Sequence, residues 1–252
     1  MYNPFSISGK TIMVTGAGGG IGRATAIECS KMGANIIITD INGPALEETL
    51  AMLDVQEGQL HQLFLADLTD ESQQKKLVEQ TPELDGLVSN AGISKVSPIQ
   101  FLNNQDFDRV MGINAFAPMF LTQLLYKSKK IRKGGSIVYT VSISGVSMVS
   151  MGGVMYAVSK NALDAFMRNA ALEFAARKIR VNSVNPSRVN TNLIKENTSY
   201  SQEDLAKDLQ TYPLKRYAEP EEIAHAIIYL LSDASSYVTG HALIIDGGKT
   251  LT

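Results

Sequence analysis

Seven short runs rich in β-branched residues alternate along this chain with longer stretches of helical periodicity, and that alternation constrains the fold more than any other feature. The strand-like runs are 11–15, 35–40, 60–66, 86–90, 136–141, 180–185 and 243–246. The helical stretches are 21–32, 44–53, 71–80, 105–131, 154–177 and 220–232. Strands separated by helices pair in parallel, through crossovers that cover both faces of one sheet. The expectation is an α/β chain with a doubly wound parallel sheet of about seven strands, helices on both faces, in a single domain over residues 1–252. Such sheets bind ligands at the carboxyl ends of their strands. Chemically active residues are therefore expected just after the strand-like runs. The polar, irregular stretch 187–217 follows one of them and reads as a lid over the cleft.

Composition excludes several alternatives. Net charge is −2 with a pI near 6.0, so the overall balance gives no sign of nucleic-acid binding. One local cationic run, Lys127-Ser-Lys-Lys-Ile-Arg-Lys133, reads either as a solvated helix terminus or as a dock for an acidic carrier protein. No apolar run approaches the ~18 residues a membrane span needs, and the N-terminus lacks a signal-peptide pattern. The single cysteine, Cys29, forbids an intrachain disulfide and fits a reducing, cytoplasmic setting. His61, His225 and His241 are scattered, and no metal site is expected.

The first strand-like run leads into Gly16-Ala-Gly-Gly-Gly20-Ile-Gly22 and then a helix. Glycines let the backbone approach a pyrophosphate, and the helix N-terminus offers free N–H groups and positive potential. The dinucleotide fingerprint G-x-G-x-x-G is not matched; the pattern is Thr15-Gly16-x-x-x-Gly20-x-Gly22. Asp40 ends the second run, where a carboxylate can accept hydrogen bonds from adenosine ribose hydroxyls and repel a 2′-phosphate. Neither Gly19 nor Ile41 offers a cation to hold such a phosphate, although Arg23 is close in sequence. These residues point to NAD in preference to NADP.

Tyr156-Ala-Val-Ser-Lys160 places a phenol and an ammonium at i and i+4, side by side if helical. A cation beside a phenol lowers its pKa toward what an acid/base needs. Spacing alone is weak, because Tyr126-Lys-Ser-Lys-Lys130 has it too. Context separates the two. Ser142, at the end of a strand-like run, precedes Tyr156 by 14 residues.

Together these segments resemble the short-chain dehydrogenase/reductase family over essentially the whole chain, in the single-domain, Rossmann-like form. Gly16, Gly19, Gly20, Ile21 and Gly22 match its cofactor loop. Asp67-Leu68 is similar to the pair that meets the adenine. Asn90-Ala91-Gly92 is similar to the N-A-G segment beside the cofactor. Asn114 falls where the family has a helix-kinking Asn whose carbonyl holds a water. Ser142, Tyr156 and Lys160 match the other catalytic positions, with Ser144 a second candidate because the Ser–Tyr gap is one residue longer than usual. Pro186, Val189 and Thr191 fall where the nicotinamide is held, but Ser187 replaces a customary Gly. Thr239-Gly240 and Asp246-Gly247-Gly248 resemble the family's usual ending.

The resemblance implies hydride transfer between a secondary alcohol and nicotinamide. Tyr156 would exchange the proton, Ser142 would bond the substrate oxygen, Lys160 would lower the Tyr156 pKa and hold the ribose, and Asn114 would pass the proton to water. The substrate is a small-molecule alcohol or ketone, with Met148, Met151 and Met155 as candidate lining. Alternatives are a 3-oxoacyl-[acyl-carrier-protein] reductase and a non-catalytic cofactor-binding protein. Family likeness implies a homotetramer or homodimer built on the long helices.

Overall fold

In the computed structural model of the protein, residues 2–56, 58–191 and 202–252 are described. The strands are β1 (Thr11–Thr15), β2 (Asn35–Asp40), β3 (Gln62–Leu65), β4 (Leu84–Ser89), β5 (Ile131–Thr140), β6 (Arg180–Pro186) and β7 (Ala242–Ile245). The helices are α1 (Gly20–Lys31), α2 (Gly43–Ala51), α3 (Glu71–Gln80), α4 (Asn104–Met111), α5 (Ala117–Lys127), α6 (Val154–Phe174), α7 (Gln202–Gln210) and α8 (Pro220–Leu231).

The strands form one parallel sheet in the order β3-β2-β1-β4-β5-β6-β7. Because both faces are covered, the strands read as near-continuous apolar runs, yet alternate residues enter different layers. Ile12, Val14, Ile36, Ile38, Val88, Val138 and Val184 pack with Ile223 and Ile227 of α8 and Ala26 and Cys29 of α1. Met13, Ile37, Leu87, Ile137 and Val181 face the other way, toward Leu121 and Leu125 of α5 and Leu163 and Met167 of α6. Each fully buried aliphatic side chain contributes about 2 kcal/mol. The histidines His61 and His225 have structural partners. His61 Nδ1 accepts from the Ile36 N–H at 3.1 Å, and His225 lies 3.4 Å from Glu28.

The strand order reverses between the parallel neighbours β1 and β4, so the connections leaving their carboxyl ends diverge and open a crevice. The crevice is stitched by Thr15, whose Oγ1 accepts from the N–H groups of Asn90 and Ala91 at 3.0 and 3.2 Å.

Three expected elements differ, the first being the strand foreseen over 136–141, which is β5 and begins at Ile131. The helix foreseen over 105–131 is α4, a π-turn (Gly112–Phe116) and α5, and it ends at Lys127. Pro118 has no N–H to give the Asn114 carbonyl four residues back, and Ala117 instead donates to Gly112 five back. The end at Lys127 follows from Lys129, which takes a left-handed φ of 56° and turns the chain into β5. The foreseen irregular stretch 187–217 is also more ordered where it is described. Val189 bridges to Ala218, and Gln202–Gln210 is helical. Residues 192–201 of that stretch lie outside the described residues.

Candidate active site

The loop after β1 is shaped by close contacts that only glycine permits. A Cβ on Gly16 would stand 2.6 Å from Ala91 Cα, and one on Gly22 would stand 2.1 Å from the Gly16 carbonyl oxygen. Asn90 Nδ2 donates to that same carbonyl at 3.2 Å. Gly19 and Gly20 have a different role. Gly19 is the N-cap of α1 and gives no side-chain cap, and a Cβ there would meet open space. Gly20 has φ +53° and faces Thr191, whose Cγ2 would lie 3.1 Å from an added Cβ. The first N–H groups of α1 thus open uncapped onto a bare glycine floor, which suits a pyrophosphate. Ile21 packs against the core beneath.

Asp40 ends β2 beside this loop. Its Oδ2 accepts from the Gly18 N–H at 2.9 Å and its Oδ1 from the Asn42 N–H at 3.0 Å. Ile41, next in the chain, is 68% exposed and leaves that side of the crevice open. Arg23 is engaged through Nε and Nη2, donating to Thr49 Oγ1, the Gly18 carbonyl and Glu48 at 2.7–3.0 Å. Asp67 closes on Thr69, accepting from its N–H and hydroxyl at 2.8 and 2.7 Å, with Leu68 between them. The uncapped helix, the glycine cradle and the adjacent carboxylate fit a nicotinamide dinucleotide.

The second half of the site lies at the carboxyl end of β5. Ser142 follows the strand and is buried. Its Oγ accepts from the Ser144 N–H at 3.0 Å, and its hydroxyl is the polar group that lowers the Tyr156 phenol pKa. Ser144 turns elsewhere, bridging to Met148. Of the two serines, Ser142 is the one whose hydroxyl acts on the Tyr156 phenol. In α6, Tyr156 and Lys160 share a face, with the Lys160 Nζ 5.7 Å from the Tyr156 ring centre. Lys160 Nζ donates to the Thr140 carbonyl at 2.8 Å. Asn114, in the π-turn, is fully buried. It accepts from the Ile93 N–H at 2.8 Å and donates to the Ile93 carbonyl and to Ser159 Oγ at 2.9 and 3.0 Å. A Cβ on Gly92 would lie 3.2 Å from Asn114 Oδ1 and 3.3 Å from Lys160 Nζ, so both polar groups converge on that glycine.

The electrostatics differ from the expectation that Lys160 lowers the Tyr156 pKa. Burial raises the Tyr156 phenol above its ordinary value, and the opposing influence is the Ser142 hydroxyl. Lys160 itself is pushed down to about 8 by burial. The physical reason is desolvation of both groups, together with an ammonium aimed at the Thr140 carbonyl.

Beyond β6, the Ser187 N–H donates to the Ile245 carbonyl at 3.1 Å, and the Pro186 carbonyl accepts from Ile143 at 3.2 Å. Val189 is buried in the core layer, so its side chain is a packing group, and only its backbone is left to meet a cofactor. The three methionines do not form one lining. Met155 is fully buried in the core, Met151 is 98% exposed and Met148 is half-buried. Exposed apolar side chains instead come from two loops joined by the Ser97 N–H to Gly152 carbonyl bond of 2.9 Å: Val96, Ile99 and Phe101 on one, Val149 and Met151 on the other.

The cationic run 127–133 sits at the other end of the sheet. Lys130 Nζ donates to the Glu79 and Thr81 carbonyls at 3.3 and 2.6 Å, and Arg132 pairs with Glu83 and Asp85. β5 runs from here through a bulge at its start, so Ser142 is about 25 Å away. Among the described residues no cluster of His, Cys, Asp and Glu could hold a metal, and no helix is long and apolar enough to cross a membrane.

A family model described as enoyl-(acyl carrier protein) reductase matches residues 16–250. The chain belongs to the short-chain dehydrogenase/reductase family. Within that family it is similar to a 2,5-dichloro-2,5-cyclohexadiene-1,4-diol dehydrogenase of Sphingobium indicum, 38% identical over 97% of this chain and 98% of the relative. It is also similar to a 3-oxoacyl-[acyl-carrier-protein] reductase of Thermotoga maritima, 33% identical over 97% and 99%. Among solved structures, a 7α-hydroxysteroid dehydrogenase complexed with NADH and 7-oxo glycochenodeoxycholic acid superposes with a TM-score of 0.90, at 31% identity and 98% coverage of both chains. The protein is an NAD(P)-dependent oxidoreductase that interconverts a secondary alcohol and a ketone.

Sequence reasoning missed three residues of this short-chain dehydrogenase site. Pro118 explains the π-turn, Ser159 holds the Asn114 amide, and Asn185 reaches the Ser142 carbonyl. Pro118 was legible as a helix-breaker four residues after Asn114. The other two carry no local signal, because their partners are far away in sequence.

Proposed function

We propose that this chain is an NAD-linked dehydrogenase of apolar secondary alcohols in which Ser142, Tyr156, Lys160 and Asn114 form the catalytic set. The observation that carries the reading is the convergence of Lys160 and Asn114 on Gly92, with Tyr156 on the same face of α6 as Lys160 and acted on by the Ser142 hydroxyl. A bound nicotinamide supplies the hydride acceptor or donor. The Tyr156 phenolate, favoured by a cationic nicotinamide bound beside it, takes the alcohol proton in oxidation; in reduction the phenol gives its proton to the carbonyl oxygen. Ser142 donates a hydrogen bond to the substrate oxygen as charge develops there. Lys160, released from Thr140, holds ribose hydroxyls. The Asn114 carbonyl, left without an α-helical donor by Pro118, takes up a water for the proton.

The cofactor is held by Gly16, Gly19, Gly20, Ile21, Gly22, Asp40, Ile41, Asp67, Leu68, Asn90, Ala91, Gly92, Tyr156, Lys160, Pro186, Val189 and Thr191. Preference for NAD rests on the fixed Asp40 carboxylate and on Arg23, whose guanidinium is already engaged. Asp40→Ala should lower the NAD/NADP ratio of kcat/KM by about tenfold or more. An unchanged ratio removes Asp40 from the reading.

The exposed rim of Val96, Ile99, Phe101 and Val149 supports an apolar substrate. A carrier-linked ketoreductase is the second reading, favoured by the Thermotoga relative. The cationic run 127–133 gives it no support, because it lies at the far end of the sheet and its Lys130 and Arg132 are already partnered. Exposed Phe116, Phe120 and Leu172 on the long helices support self-association as a homodimer or homotetramer. The lone buried thiol, Cys29, supports a cytoplasmic setting.

The deciding variant is Tyr156→Phe, assayed with NAD and a panel of secondary alcohols and hydroxysteroids. It should lose turnover by about a thousandfold while still binding NADH. Turnover close to wild type would reject Tyr156 as the acid/base.

A further inference from the structure

We infer that the side-chain amide of Asn185 is a positioning group for the reaction, holding the Ser142 backbone so that the Ser142 hydroxyl meets the Tyr156 phenol. The inference rests on the proposed pairing of Ser142 with Tyr156. β5 and β6 are joined by a parallel ladder through the Thr140–Val184 pair, and two more bonds follow, Val141 N–H to the Val184 carbonyl at 2.9 Å and Ile143 N–H to the Pro186 carbonyl at 3.2 Å. Between them stands Ser142, at the point where β6 ends in proline. Pro186 has no N–H, so the run of backbone donors that β6 can offer stops there. The donor to the Ser142 carbonyl is a side chain. Asn185 Nδ2 gives a hydrogen bond to the Ser142 carbonyl at 3.1 Å.

The amide is fixed in that role. Asn185 is 1% exposed, and its Oδ1 accepts from the Ser183 hydroxyl at 2.8 Å. Rotating the amide by half a turn would set its oxygen against the Ser142 carbonyl oxygen, two acceptors face to face. One orientation therefore satisfies both contacts. Ser183 is itself fully buried and lies 3.4 Å from Asp164 of α6, the helix that carries Tyr156 and Lys160. A line of buried polar side chains thus runs from α6 through Ser183 and Asn185 to the Ser142 backbone. Catalytic hydrogen bonds demand placement to a fraction of an ångström, and buried supporting bonds of this kind supply it.

The test reads the phenol directly. Tyrosines of the full-length protein are labelled with 13C at the ring carbon bearing oxygen, and the Tyr156 resonance is the one lost in Tyr156→Phe. Ser142→Ala sets the shift that accompanies loss of the serine bond. Asn185→Ala should move the resonance in the same direction by at least half that amount, and Ser183→Ala by less. NADH binding by fluorescence should stay within about twofold of wild type. A merely structural Asn185 would lower Tm and leave the resonance in place, which overturns the inference. If Asn185→Ala does not fold, Ser183→Ala decides: a shift supports the line, and an unmoved resonance rejects it. If Ser142→Ala moves nothing, the Ser142–Tyr156 pairing itself fails and the inference falls with it.

Discussion

Two tyrosine–lysine pairs in this protein share one spacing and have different surroundings. Tyr156 and Lys160 lie within α6, the lysine buried and the tyrosine half-buried, with the Ser142 hydroxyl acting on the phenol. Tyr126 and Lys130 span the end of a helix. α5 stops at Lys127, Lys129 turns left-handed, and Lys130 points its ammonium at the Glu79 and Thr81 carbonyls. Tyr126 stacks on Phe174 with ring centres 3.9 Å apart and lies under Arg177. The i, i+4 rule applies while the helix continues. Three residues of turn chemistry convert one pair into a packing contact and a helix-end clasp.

The largest effect that can break this comparison is on turnover. Tyr156→Phe should lose about a thousandfold, and Tyr126→Phe should stay within about twofold, in the same NAD-dependent assay. A large loss in Tyr126→Phe would erase the distinction. The lysines sharpen it through stability. Lys160 is pushed from 10.5 down to about 8, so between those values the unfolded chain binds more protons than the folded one. Stability then rises with pH across that window. In denaturant melts the wild type should gain about 3 kcal/mol over Lys160→Met between pH 7 and 10.5. Parallel curves would contradict the burial of that ammonium. Lys130→Met should instead cost about 1–2 kcal/mol at pH 7 through its two carbonyl bonds. The smallest effect concerns charge at the far end of the sheet. Lys127→Glu with Lys133→Glu should leave kcat/KM for a small alcohol within about twofold, and a larger change would reopen the carrier-docking reading.

Much of this architecture was legible in the sequence because its causes are local. The runs 11–15 and 35–40 coincide with β1 and β2, and 71–80 with α3, since period and capping lie within the segment: Asp70 caps α3 through Ser72 and Gln73. The glycine loop was legible because helix start and strand end meet there. The break of the helix at Gly112–Phe116 was hidden by continuous apolar periodicity, although Pro118 marked it. The protonation balance of Tyr156 and Lys160 was not legible at all. It depends on how completely α6 is covered, which no spacing records. Ser187 in place of the family's glycine takes no left-handed φ, so its Cβ imposes no backbone strain, and its N–H continues the contact of β6 with β7.

The central claim is that the crevice between β1 and β4 takes NAD and places it beside Tyr156. A parallel titration of the purified protein with NADH and with NADPH, followed by nicotinamide fluorescence, tests it most directly. The account predicts saturable binding of NADH, at least tenfold tighter than NADPH, and unchanged in Tyr156→Phe. Tighter binding of NADPH would contradict the role given to Asp40 and make the carrier-linked ketoreductase the leading reading.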